Sequence, residues 1–158
     1  MERLRASIAL ACPQHEAEAL LPSVFERYRD ADGIVRFALH VALDDFGLPL
    51  GLEIGREVEV RVSRRRDEQN LNEIYAIAWQ PAGGGPFPAF DGKLILWSED
   101  DPAECYLELD GTYEPPLGHV VGAAFDATIG HLIAERTAKT FLGDVAGAIS
   151  TLRSSVRT

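Results

Sequence analysis

Few residues in this sequence are placed to do chemistry, and their spacing sets several chemistries aside. The two cysteines, Cys12 and Cys105, lie 93 positions apart, which makes neither a disulfide framework nor a metal-ligand set. Cys105 alternates in phase with Leu107 and Leu109 and reads as a small buried core residue. The histidines His15, His40, His119 and His131 are not read as a ligand set, so no zinc or iron centre is expected. No G-x-S-x-G string is present, so no serine nucleophile is assigned. Gly83-Gly84-Gly85 is followed by neither a lysine nor a helix start, and it reads as a hairpin connection rather than a phosphate loop. Arg64-Arg65-Arg66 runs straight into Asp67 and Glu68 and reads as a solvated hairpin tip. Glu73 and Arg136 are the ionisable side chains that the patterning turns toward the apolar side, and they are the candidate polar anchors. No catalytic residue is assigned.

The elements that must position these residues belong to a chain of 158 residues, 46% apolar and 25% charged. That is the composition of an ordinary globular domain, long enough to bury a core without metal or disulfide staples. Fifteen basic residues against 25 acidic ones leave a net charge of −10, which argues against nucleic acid and anionic membrane as partners. No run approaches the roughly 18 apolar residues of a membrane span, so no membrane insertion is expected. The reading is one domain over residues 1–158, reduced and cytoplasmic, with no cofactor.

Leu4, Ala6, Ile8 and Leu10 alternate with other residues as in a strand that ends by Pro13. Ala19, Leu20, Val24, Phe25 and Tyr28 then recur at helical spacing, and Pro22 predicts a break into two short pieces. Five strands follow, with a polar turn over Arg64 to Asn70. Their regular alternation predicts an antiparallel sheet with one buried face. After Glu114-Pro115-Pro116-Leu117-Gly118, a proline-free helical pattern runs from Val120 to about Arg153. Strands in sequence followed by a long helix make an α+β architecture.

The alternation puts Phe37, Leu39, Val60, Tyr75, Ile77, Trp79, Phe90, Leu94, Leu107, Leu109 and Tyr113 on one face, with tyrosine hydroxyls as its clearest polar groups. Such a lining suits a hydrophobic ligand cavity or a filled core. Trp97 falls in the opposite phase. On the final helix, Val121, Phe125, Ile129, Leu132 and Arg136 form one stripe, and Ala134, Ala138, Phe141, Val145, Ile149 and Leu152 form another. Gripping one sheet needs a single stripe, so the helix is expected to bend near Gly130 or to pack Ala124 and Ala127 against a second copy, as a homodimer.

Phe46-Gly47-Leu48-Pro49, Trp79-Gln80-Pro81, Gly85-Pro86-Phe87-Pro88-Ala89-Phe90-Asp91-Gly92, the run Leu109 to Gly118, and Ile133-Ala134-Glu135-Arg136-Thr137 with Phe141-Leu142 follow one another along almost the whole chain. In these strings the sequence resembles the START-like (SRPBCC) helix-grip superfamily, especially its small bacterial polyketide-cyclase-like members. The resemblance implies an antiparallel sheet of six or seven strands curled around the C-terminal helix, with a seventh strand expected around Asp44 to Glu53. It also implies binding of a hydrophobic or amphipathic small molecule between sheet and helix, without catalysis. The cavity would be lined by the inward residues above and by Phe125, Ile129 and Leu132. The alternatives are a polyketide cyclase or dehydratase, and an interaction module whose cavity is collapsed.

Overall fold

A computed structural model of the chain describes residues 2–42, 53–66, 73–81, 89–114 and 127–157, with side chains for all of these except 40–42, 53–56, 65–66, 73, 127–129 and 157. Among the described residues, six strands and two helices follow in the order β1 (Glu2–Leu10), α1 (Gln14–Arg27), β2 (Val35–Ala42), β3 (Glu53–Arg66), β4 (Glu73–Pro81), β5 (Ala89–Trp97), β6 (Cys105–Glu114) and α2 (Ala127–Arg157). The strands form one antiparallel sheet in the order β1-β6-β5-β4-β3-β2. The sheet curls into a half-barrel around α2, with α1 inserted after the first strand. Residues 44–52, where a seventh strand was expected, lie outside the described residues.

Side chains alternate across a strand with period two, so the register fixes two faces. Leu4, Phe37, Val60, Ile77, Leu94 and Leu107 represent the concave face, and all are buried. Arg5, Arg61, Ala78, Asp91 and Glu108 belong to the outer face.

The helices differ from expectation in three ways. α1 is one continuous helix with Pro22 inside it. Proline removes one backbone donor, but Ala17, Leu21, Val24 and Phe25 on either side of it are buried in the core, and that packing holds the helix together. α2 runs past Arg153 to Arg157. Its buried positions form a single stripe, Ile133, Ala134, Thr137, Ala138, Phe141, Leu142, Val145, Ala148 and Ile149. Leu132, 38% exposed, and Arg136, also exposed, therefore lie off the gripping stripe. At 100° per residue each is displaced about 160° from Ala134. Thr137 is buried because its Oγ1 donates to the Ile133 carbonyl one turn back, which satisfies the hydroxyl. The proposed contact through Ala124 and Ala127 falls outside the described side chains.

The arginine run is also not a turn. Arg64, Arg65 and Arg66 are the last residues of β3, in register with Tyr75, Ile74 and Glu73 of β4. α1 and α2 are tied together by Arg153, whose Nε donates to Glu16 Oε2 at 2.7 Å and whose Nη1 donates to the Ala11 carbonyl at 2.8 Å.

Candidate functional site

One cross-strand row carries most of the aromatic surface. Val35, Val60, Trp79, Phe90 and Tyr113 are consecutive partners across β2, β3, β4, β5 and β6. Trp79 stacks on Phe90, with ring centroids 4.6 Å apart, and tilts against Phe141 of α2 at 5.1 Å. Phe141 in turn meets Phe37 at 4.8 Å. A second cluster joins Phe25 of α1 to Tyr75 at 5.8 Å.

Of the residues expected to line a cavity, Phe37, Leu39, Val60, Tyr75, Ile77 and Trp79 are buried, as are Phe90, Leu94, Leu107, Leu109 and Tyr113. They meet one another and α2 as packed core. Leu132 and Arg136 project elsewhere, as described above. Ile129 and Glu73 have side chains outside the described set, and Phe125 lies outside the described residues altogether.

The polar feature of the concave side is centred on Tyr113. Its hydroxyl donates to Glu2 Oε2 at 2.6 Å and lies 3.0 Å from His131 Nδ1. His131 Nε2 is 3.4 Å from Glu135 Oε1. β1 supplies Glu2 opposite Tyr113 in the register, and α2 supplies His131 and Glu135 one turn apart. The single hydroxyl proton goes to Glu2, so His131 must offer an N–H to the tyrosine oxygen. Burial, and then the hydrogen bond to Glu2, push the Tyr113 hydroxyl well above the usual tyrosine range; it is a phenol and a donor at neutral pH.

The histidine reading passed over Glu135, although the i, i+4 spacing is visible in the sequence. Glu2 could be found only from the register. Burial pushes the Cys105 thiol up to about 11, which keeps it protonated at neutral pH. Among the described residues, no three His, Cys, Asp or Glu side chains form a group that could hold a metal ion, and no helix is long and apolar enough to cross a membrane.

The outer face has its own structure. Glu108, although buried, accepts from Arg5 Nε at 2.7 Å and from Trp97 Nε1 at 3.0 Å, and Trp97 stacks on Tyr106 at 4.4 Å. Trp97 thus lies on the outer face, opposite in phase to Leu94 and Leu96. A cavity of about 510 Å³ and a neighbouring one of about 300 Å³ open on the same side. No described residue of α2 lines either of them.

No family model matches the sequence, and no curated protein does. Solved structures do. A conserved protein from Geobacillus kaustophilus is 14% identical and superposes with a TM-score of 0.55, over 95% of this chain and 96% of its own. A protein from Thermus thermophilus is 13% identical with a TM-score of 0.54, over 96% and 99%. A START superfamily protein from Mycobacterium smegmatis is 14% identical with a TM-score of 0.50, over 95% and 98%. At these identities the likeness is one of architecture: six antiparallel strands curled over a long final helix give this chain the START-like helix-grip fold.

Proposed function

We propose that the chain binds a hydrophobic or amphipathic small molecule between the concave face of the sheet and α2, without acting on it chemically. The observation that supports this most is the concentration of aromatic side chains at one end of that face. Phe90, Trp79, Phe141 and Phe37 touch in sequence, and Tyr113 beside them carries the polar group. Apolar walls with one or two placed donors are the ordinary make-up of a small-molecule site. Aromatic rings supply contact area at low entropic cost. Two buried cysteines that form no disulfide fit a reduced, cytoplasmic setting.

The test uses Trp79 as reporter. In a Trp97→Phe variant, Trp79 is the only tryptophan, and titration with a fatty acid, an isoprenoid and an aromatic polyketide should give a saturable fluorescence change with at least one of them. The same titration of Trp79→Phe should give none. Silence toward all three in folded Trp97→Phe protein overturns the reading.

A second reading, proton-transfer catalysis of the cyclase or dehydratase type, is favoured by one observation, the hydrogen-bonded set of Tyr113, His131 and Glu135. General acid catalysis needs such a positioned donor. Under that reading Tyr113→Phe abolishes turnover of a polyketide even at saturating concentration. Under the binding reading there is no turnover to lose.

A further inference from the structure

We infer that the outer face of the sheet carries a separate binding site, for a small zwitterion whose positive and negative groups stand about 10 Å apart, a span matched by a free tripeptide.

The lining of the 510 Å³ cavity follows the register. One outward row runs Arg61, Ala78, Asp91, Thr112; the next holds the cross-strand pairs Glu59–Gln80 and Ala89–Glu114, and Ile34 precedes β2 at the rim. The row between them, Val60, Trp79, Phe90 and Tyr113, turns its side chains inward and is almost wholly buried. The cavity is therefore a hollow on the outside of a twisted sheet. The 300 Å³ cavity continues it past Arg61, Ala78 and Asp91 to Ser63 and Ala76. Alanines at 76, 78 and 89 form the floor, and their small size is what makes the depression. Its volume falls within the range of small-molecule sites.

The charges around this floor are segregated. Arg29 and Glu59 reach the cavity already engaged, Arg29 with Glu26 and the Gly33 carbonyl, Glu59 with Arg36. Arg61, Asp91 and Glu114 take part in none of the ion pairs among the described residues. Arg61 stands on β3, Asp91 on β5 and Glu114 on β6, so a cation faces carboxylates across the Ala78 strand. Two interstrand spacings separate the Arg61 and Asp91 backbones, about 10 Å, and the exposed side chains of both can adjust to bracket a ligand of about that length. An extended peptide rises about 3.3 Å per residue, so three residues place their termini at that separation. The carboxylate end meets the arginine fork, the ammonium end meets Asp91 and Glu114, and small side chains rest on the alanines. Neither a simple anion nor a simple cation satisfies both walls.

The experiment is a titration of the isotopically labelled full chain with trialanine, followed by amide NMR. Saturable shifts are expected at residues 78, 80, 89 and 91, in the millimolar range. N-acetylation or C-amidation of the peptide should each weaken binding at least tenfold. So should Arg61→Gln and Asp91→Asn, which change exposed side chains and whose own spectra report the fold. Widening the floor residue, Ala78→Leu, should remove binding. No saturable shift up to about 50 mM, equal binding of the capped peptides, or binding indifferent to Arg61→Gln overturns the inference. The Trp79 titration is read in parallel. Trialanine is also titrated against the Trp97→Phe protein: amide shifts at 78 and 91 with unchanged Trp79 emission keep the two sites distinct, because the Trp79 side chain is buried on the concave face.

Discussion

Gly92 of β5 and Gly111 of β6 stand directly opposite each other, and the ring of Phe90 lies against both. A Cβ built on Gly92 would sit 2.6 Å from the Gly111 Cα and closer still to the Asp110 carbonyl oxygen. One on Gly111 would sit 2.6 Å from the Gly92 Cα and closer still to the Asp91 carbonyl oxygen. The two backbones approach this closely because neither residue has a side chain, and Phe90 covers the gap that results. Gly92→Ala and Gly111→Ala should each destabilise by ~3 kcal/mol, the upper end of the overpacking range, because the atoms met are backbone and cannot swing away. Urea denaturation measures this directly.

The helical glycines behave in the opposite way. Nothing lies within 4 Å of a Cβ placed on Gly143 or Gly147 of α2, and both positions are exposed. Gly143→Ala and Gly147→Ala should each stabilise the protein by ~0.5–1 kcal/mol through helix propensity alone. The shift in the denaturation midpoint is the readout.

Phe141 is the α2 side chain on which Phe37 and Trp79 both rest. Phe141→Ala should cost about 3–5 kcal/mol, with the larger values applying if the cavity does not collapse. Trp79 should also become wetter, so a red shift of its emission in a Trp97→Phe background should accompany the loss of stability. A loss without that shift would place the damage elsewhere.

Stability should fall in base. The Cys105 thiol is held at about 11 by burial, from an ordinary value of 9.0, and Tyr113 is raised in the same direction from 10.0. Both groups resist ionisation in the fold but not in the unfolded chain. The Cys105 contribution is complete below about pH 9 and is lost as pH rises toward about 11, and the Tyr113 contribution begins to be lost only above about pH 10. For Cys105 the difference is about 3 kcal/mol. Denaturation curves at about pH 7, 9 and 10.5 should show the decline, and Cys105→Ala should flatten it.

Tyr113→Phe removes the hydroxyl that joins Glu2 to His131 and should destabilise by about 1–2 kcal/mol, since Glu2 and His131 each lose this hydrogen bond. The imidazole resonances of His131 should move in the variant, while those of His15 stay in place. If His131 does not respond, the hydrogen bond is absent in solution.

The faces of the strands were legible because alternation is a local property. Phe37, Ile77, Trp79 and Leu109 could each be assigned by counting in twos. What failed was decided by distant partners. Arg64 to Arg66 look like a turn until β4 is known to pair with them, and Pro22 looks like a break until Leu21 and Val24 are seen buried beside it. On α2 two stripes competed, and only the sheet chose between Phe141 and Leu132. The link from Glu2 to Tyr113 needs the β1–β6 register, which no local pattern contains. The outer alanines at 76 and 78 read as filler in a strand, and their role as a floor depends on what stands across from them in β3 and β5.

The placement of β1 beside β6 also governs the order in which the molecule can assemble. β2 through β6 each pair with a sequence neighbour, so this meander can grow hairpin by hairpin. β1 must wait: Glu2 and Tyr113 are 111 residues apart, and closing that span costs about 2 kcal/mol more than closing a short hairpin. The last strand to join is therefore translated before the five it must meet, and until β6 emerges its alternating face of Leu4, Ala6, Ile8 and Leu10 has no strand to lie against. Folding should be slow for a chain of this size, and β1 should be the strand that opens most often in native-state hydrogen exchange.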